Sequence, residues 1–374
     1  MLRTRLLLIL LTLGLVLGVT VLAGPRAGLL ALIGLGFGLV LEGLRFGFAG
    51  PWRLAVTERD GRGLIAQLLS IGLVAAVALP LLAANPTELS GAHGPVGLAM
   101  IAGAFVFGAA MQIVMGCGSG TLINAGSGNL IGAVALVMFV LGSFLGTLHL
   151  DWWTGLGSLP VLTLQGMAGP QGGLGLTLLG LAAVIVFVAL RSAPGKRLPQ
   201  GRLILAAGLL ALLALANLVV AGQPWGIVYG LGLWGAKVAS ASGADLSTTA
   251  FWAAPGNAAL LGQSVLRDVT SLTNIGLIFG AFIAMRWKSE IAPQVARLQP
   301  ASWVVIALAG LVLGYSARLA FGCNVGAFFS GIGTGSLHGW VWFAAAFAGS
   351  MLGIRLRGRL LLPASGPAGT VRTA

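Results

Sequence analysis

The chain has two cysteines among its 374 residues, and each sits in a glycine break of an otherwise apolar sequence. The first stretch reads "VMGCGSGTLINAGSG" (114–128) and the second "AFGCNVGAFFSGIGTG" (320–335). A shift of 206 residues, 323 − 117, lays Gly116-Cys117 on Gly322-Cys323. Without a CxxC pair these cysteines form neither a disulfide framework nor a zinc site. His93, His149 and His338 lack ligand spacing, so no metal is expected. "GCGSGT" (116–121) lacks the lysine of a phosphate loop and follows a helix-length apolar run rather than a strand. What remains is thiol chemistry: a soft, polarizable group with a weak S–H donor. Kept neutral by burial away from cations, a thiol suits a passing anion better than a thiolate would. Glycine lets the backbone turn at such a break, and the N–H groups exposed where the next half-helix starts bind anions.

The elements that position these residues are membrane helices. The chain is 57% hydrophobic and 8% charged, roughly a third of the charge fraction of a soluble domain. Apolar runs long enough to cross a bilayer fall near 5–23, 27–48, 63–84, 96–116, 129–150, 172–190, 203–221, 225–242, 269–286, 302–322 and 337–354. The alternation of a membrane β-barrel is missing. The net charge of +13 then reads as positive-inside bias rather than nucleic-acid binding. Arg3, Arg5, the loop 53–62 and the loop 191–202 are placed in the cytoplasm, and the loops 85–95 and 151–171 outside. The start, "MLRTRLLLILLTLGLVLGVTVLAGP", has an apolar core longer than that of a cleaved signal and reads as a retained first helix. Eleven crossings would strand Arg286, Lys288, Arg355, Arg357 and Arg359 outside, so the segment 246–266, with Pro255 and Gly256, is expected to be one more, broken membrane element.

The fold class expected is all-α: a polytopic membrane protein of internally repeated, inverted helical units with broken or re-entrant helices around a central pathway. The first membrane half (1–190) holds repeats near 27–84 and 97–150, and a basic cytoplasmic loop (191–202) follows. The second half (203–356) holds repeats near 226–286 and 303–356, ahead of a tail at 357–374. The 206-residue shift also pairs Gly108 with Gly314 and Gly120 with Gly326. After a one-residue insertion, Gly142-Ser143 and Gly146 pair with Gly349-Ser350 and Gly353. Weaker copies place Gly47 of "GFGLVLEGLRFGFAGPWR" (36–53), and Ala239 and Ser240 of "GLGLWGAKVASASGAD" (230–245), where a cysteine would stand. Inverted repeats of this kind hold their substrate near the midplane between the repeats.

Cys117 and Cys323, with Gly116 and Gly322, are therefore the candidate pathway. Asn124 and Asn324 are candidates to donate to an oxyanion or to cap a helix break. Glu42 and Arg45, three residues apart on one helix face, are expected to pair, and Lys237 and Asp245 hold a similar place in the third repeat. Arg318 stands one turn before Cys323 and either attracts an anion or reaches a helix end.

The stretch 314–356, "GYSARLAFGCNVGAFFSGIGTGSLHGWVWFAAAFAGSMLGIRL", resembles the sulfur-transport repeat of the YeeE/YedE membrane family. "FVFGAAMQIVMGCGSGTLINAGSGNL" (105–130) resembles the family's other cysteine repeat, and a weaker likeness runs from about residue 27 to 356. The resemblance implies uptake of thiosulfate or a related sulfur-containing anion across the bacterial inner membrane. It implies that cysteines along a central conduit pass the ion by S–H···S and S–H···O contacts, here Cys117 and Cys323. It also implies a small cytoplasmic sulfur-carrier partner of the TusA type. Members with the thiosulfate relay carry a third cysteine, where this chain has Gly47. A selenium or other sulfur oxyanion is the alternative cargo, and a membrane thiol enzyme in sulfane transfer is the alternative from another class. That enzyme needs a thiolate activated by a nearby cation. No nucleotide motif, nucleic-acid partner or cofactor is read from the sequence.

Overall fold

The computed structural model describes residues 2–288 and 298–361. Among them the regular structure is helical, with isolated bridges joining Gly97 to Ser158 and Thr163 to Ser336. The first quarter forms α1 (Leu2–Ala23), α2 (Pro25–Gly43), the short α3 (Ala49–Thr57) and α4 (Arg62–Ala84). Next come α5 (Leu98–Ile113), α6 (Gly118–Gly126), α7 (Leu130–Leu148) and the short α8 (Leu150–Gly155). Two long helices follow: α9 (Leu164–Arg191), kinked at Gly169-Pro170, and α10 (Gly201–Ala221). The remainder is α11 (Val228–Ala241), α12 (Ala250–Ala253), α13 (Pro255–Gly262), α14 (Val269–Trp287), α15 (Pro300–Leu319), a π-helix (Asn324–Gly331) and α16 (Leu337–Leu360). α16 runs beyond the expected start of the tail at 357, and residues 362–374 of that tail lie outside the described residues.

Ten segments of the described chain are long and apolar enough to cross a bilayer, with α5–α6 and α15–π-helix each counting as one. The count is even, as expected, but lower than the eleven runs plus one broken element. The run 225–242 folds as the 14-residue α11, about 21 Å long and too short to cross. α11 runs antiparallel to α14: Asn274 donates to the Ile227 carbonyl at 3.0 Å, Trp234 Nε1 donates to Ser271 Oγ at 2.8 Å, and Lys237 reaches the Gln263 carbonyl ahead of α14. The segment 246–266 is broken, as expected, into the short helices α12 and α13 and a 3-10 turn at Val265–Arg267, none of them long enough to cross alone. Removing one crossing, not adding one, gives the even count.

Hydrogen bonds tie the loops of each face together. On one face Lys196 meets Glu58 at 2.9 Å, Arg59 donates to the Arg191 carbonyl at 2.9 Å, and Lys288 donates to the Gly43 carbonyl at 2.9 Å. This face gathers the basic loops, those expected in the cytoplasm from the positive-inside bias. On the other face Leu98 and Leu159 bond the backbone of Gly157 and Val96, Leu337 bonds Leu162, and His93 Nε2 lies 3.2 Å from the Thr334 carbonyl oxygen.

Small residues let the long helices touch backbone to backbone. A Cβ on Gly108 of α5 would collide with the Ala346 carbonyl of α16, and one on Gly349 of α16 with the Phe105 carbonyl of α5. The same two collisions occur between α15 and α7: Gly314 with the Phe139 carbonyl, and Gly142 with the Leu311 carbonyl. Shifting 105 and 108 by 206, and 139 and 142 by 207, converts each contact into its counterpart. The glycines aligned from sequence thus do the same job in the two cysteine-bearing units. A third close pair joins α2 to α14, where Gly34 and Gly38 meet Thr273 and Leu277, and Gly276 and Gly280 meet Ala31 and Leu35.

Candidate functional site at the paired helix breaks

α2, α5 and α15 end alike. In each, one residue turns into the left-handed region: Arg45 (φ 52°), Met115 (φ 57°) and Phe321 (φ 55°). The next amide bonds back five residues: Phe46 to Leu41, Gly116 to Met111 and Gly322 to Ala317. This is the six-to-one hydrogen bond of a Schellman end, built here on non-glycine residues that are strained in that conformation. Only one other non-glycine residue among those described has a positive φ, Arg59, so the strain gathers at the breaks. Two residues beyond each turn stand Gly47, Cys117 and Cys323, which fixes Gly47 as the counterpart of the cysteines.

The end of α11 follows the same pattern and corrects the fourth alignment. Gly243 (φ 96°) is its left-handed residue, and the Ala244 amide bonds back five residues to Ala239. The counterpart of the cysteines is therefore Asp245, not Ala239 or Ser240, which lie inside or at the end of α11. Asp245 is exposed, and its carboxylate accepts from the Ser247 amide at 2.9 Å and hydroxyl at 2.7 Å.

Both cysteines are the N-cap residues of the half-helices that follow, α6 and the π-helix, in matching extended conformations (φ −81°, ψ −166° and φ −102°, ψ −168°). The preceding glycines have a shared cause. A Cβ on Gly116 would lie 3.1 Å from Gly120 C and Thr121 N, and one on Gly322 would lie 3.1 Å from Gly326 C and 2.7 Å from Ala327 N. The first turn of each half-helix closes over its glycine. The single insertion between the two units coincides with the π-helix, whose wider turn takes up one extra residue.

The two breaks meet. A Cβ on Gly118, directly after Cys117, would lie 2.8 Å from Cys323 Sγ and 3.4 Å from Ile227 Cγ2. Both cysteines are buried and reduced, and Cys117 Sγ lies 3.3 Å from Ser119 Oγ. On the outer side Phe321 packs beside Gly94 of the loop after α4, and His338 touches the same glycine. Toward the basic face Arg357 of α16 donates to the thioether of Met115. From the outer loop to the basic face the order is therefore Phe321, Cys323, Cys117, Met115, Arg357.

A model of the sulphur transport family matches residues 44–352. The chain belongs to the sulphur transport family. The match takes in all four breaks, starting at the last residue before Arg45. The chain is 25% identical over 332 residues to the thiosulfate transporter TsuA of Spirochaeta thermophila, covering 83% of this chain and 92% of TsuA. It is 35% identical over 92 residues to the probable transporter YedE of Escherichia coli K12, covering 25% of this chain and 23% of that protein. It is 28% identical over 137 residues to YedE of Salmonella typhimurium, covering 36% and 33%. The chain thus spans at most a third of the length of these YedE relatives.

Within this family member the remaining candidates separate by their contacts. Asn324 is fully buried beside Cys323, and its side-chain nitrogen and oxygen both lack a partner. Asn124 sits further along α6, its amide 3.4 Å from where a Gly116 Cβ would be. Its counterpart by the 206-residue shift is Ser330, which donates to the Trp225 carbonyl at 2.7 Å, so the two asparagines are not equivalent. Arg318 Nη2 donates to the Val228 carbonyl at 3.1 Å and to Ser143 Oγ at 3.5 Å, and its guanidinium stacks 5.1 Å from Phe251. It fastens α15 to α11 and α7. Lys237 donates to the carbonyls of Leu260, Leu261 and Gln263, closing the end of α13, while Asp245 is held by Ser247. Glu42 and Arg45 lie at the end of α2, where the Arg45 amide bonds the Glu42 carbonyl at 3.3 Å.

Sequence reasoning missed Gly118, Ser119 and the segment around Trp225 and Ile227. Trp225 is buried, stacked 3.9 Å from Phe37 and edge-on to Phe329, and Ile227 reaches Gly118. The signal was "GQPWGI" (222–227), a tryptophan between proline and glycine where two apolar runs nearly touch.

Proposed function

We propose that this protein takes up thiosulfate, or a closely related sulfur-containing anion, across the bacterial inner membrane, handing it from the Cys323 thiol to the Cys117 thiol. The observation that carries this reading is the contact at Gly118, which brings both cysteines of the chain to one buried point between two half-helices. Neutral S–H groups donate to the anion without repelling it, and half-helix N-termini favour negative charge. The thioether of Met115 beside the Arg357 guanidinium continues a soft, then cationic, route to the basic face.

The packing of the two cysteine units supports an inverted arrangement. Phe105 and Ala109 of α5 meet Gly349 and Gly353 of α16 in ascending order, so these helices run parallel. Ala135 and Phe139 of α7 likewise meet Gly310 and Gly314 of α15. The nine-residue α6 is about 14 Å long and cannot recross the membrane, so α5 and α7 point oppositely. α15, parallel to α7, then opposes α5. Helices 25–84 and 228–287 form the weaker pair of units around them.

The enzyme alternative needs an activated thiolate. Among the described contacts Cys117 meets the Ser119 hydroxyl, and the nearby guanidinium of Arg318 is engaged by Val228 and Ser143 instead. A TusA-like carrier would receive the anion at the basic face, which carries Arg355, Arg357 and Arg359 at the end of α16.

The test is uptake of radiolabelled thiosulfate in cells lacking their own system, with selenite and sulfite as parallel labels. Accumulation of thiosulfate is expected. Accumulation of selenite alone would transfer the assignment to a selenium oxyanion, and accumulation of neither would overturn transport of this class.

A further inference from the structure

The geometry points to Asn324 as the residue that selects the cargo, its side-chain amide binding the oxygen end of the anion while the thiols hold the sulfur end. This rests on the transport reading and deepens it by naming the specificity determinant.

Three observations converge. Asn324 is 0% exposed, and both Nδ2 and Oδ1 lack a hydrogen-bond partner. A buried amide with neither group paired is costly and points to a ligand as its partner. Second, the reciprocal contacts of Gly108, Gly142, Gly314 and Gly349 show that the two units are related by an exchange of places. Under that exchange Asn324 corresponds to Gly118, 324 − 206 = 118, and Gly118 lies against the opposite cysteine, Cys323. The same relation predicts that Asn324 faces Cys117. The site is thus unsymmetrical: one unit offers bare backbone to the thiol across from it, and the other offers an amide. Third, Asn324 opens an eight-residue half-helix, whose first intrahelical bond runs from the Ala327 amide to the Cys323 carbonyl at 2.8 Å, so the N–H groups of Asn324, Val325 and Gly326 lead it without an intrahelical acceptor. The N–H groups and the Asn324 Nδ2 protons form a donor set for oxygens, next to a thiol suited to sulfur.

An anion with sulfur at one end and oxygens at the other satisfies both halves. Hydrosulfide, with no acceptor oxygen, satisfies only the thiol. The full-length protein in proteoliposomes tests this with labelled thiosulfate, using wild type, Asn324→Ala, Asn324→Ser and Asn324→Asp. Asn324→Ala is expected to raise the concentration for half-maximal uptake about tenfold or more, the factor for losing a hydrogen bond to a charged group. Asn324→Ser, which keeps a donor, falls between. Asn324→Asp, the same shape with a charge facing the anion, transports least. Hydrosulfide should compete far more weakly than unlabelled thiosulfate in wild type, and that difference should shrink in Asn324→Ala. Unchanged half-saturation in Asn324→Ala, or equal competition by hydrosulfide in wild type, overturns the assignment. The wild-type competition reads out even if a variant fails to fold. Failure of the transport reading itself looks different, since wild-type vesicles would then take up no label.

Discussion

Gly118→Ala is a one-methyl perturbation of the thiol contact. The added Cβ would lie 2.8 Å from Cys323 Sγ and 3.3 Å from Cys323 Cβ. Ordinary contact between such heavy atoms is about 3.5–4.0 Å, so the sulfur must retreat by about 1 Å or rotate about χ1. Overpacking of this size costs about 1–3 kcal/mol of stability, which leaves most of the protein folded. The relay is hit harder, because a hydrogen-bond geometry is lost over such a displacement. Thiosulfate flux into proteoliposomes, normalised to folded protein by size exclusion, should fall tenfold or more. Gly120→Ala is the matched control: its Cβ would sit 3.8 Å from Cys117 Sγ, an ordinary contact, and flux should stay within twofold of wild type. If Gly118→Ala transports like wild type, or if Gly120→Ala loses as much, the meeting of the two breaks at Gly118 is not where the anion passes.

Gly47→Cys restores a thiol at the third break. A Cβ there meets nothing within 4 Å and the backbone is not left-handed, so the variant should keep wild-type thermal stability, transport thiosulfate at least as fast, and gain a third alkylatable thiol by mass spectrometry. Arg318→Lys should lower the melting temperature, since one ammonium cannot reproduce the bonds to Val228 and Ser143, while flux per folded molecule is retained; selective loss of flux would assign Arg318 to the pathway instead. On the basic face, the hydrogen bond from Arg62 holds the Asp60 carboxyl below its ordinary value of 3.8. That contribution is present above pH 3.8 and is lost as pH falls through the lower folded value. Asp60→Asn should therefore melt earlier than wild type from pH 5 to 8, by about 1 kcal/mol, and the gap should close below pH 3.8.

The membrane class and the cysteine pair were legible because both rest on composition and spacing within single segments. The one-residue insertion was also visible in the alignment, although its form, a π-helix at Asn324–Gly331, needed the backbone. The fourth break was misplaced for a physical reason. Its register is marked by the left-handed residue, and that residue is Arg45, Met115, Phe321 or Gly243 in the four copies. Conformation recurs there while side-chain identity does not. The crossing number was misjudged because hydropathy registers the apolar run 225–242 without showing that α11 folds back beside α14. For Arg318 and Lys237 the sequence left a pathway or a structural role open, because their partners, carbonyls on α11 and α13, are distant in sequence. The contact of Gly118 with Cys323 joins residues 205 apart, 323 − 118, and only the packing of the two breaks brings it about.

Thiosulfate flux through proteoliposomes containing wild type, Cys117→Ala, Cys323→Ala or the double variant tests the central claim most directly. Two thiols acting in series predict that either single variant loses nearly all flux and that the double variant is no worse than the singles. Wild-type flux through either single variant, with the protein folded, would contradict the relay.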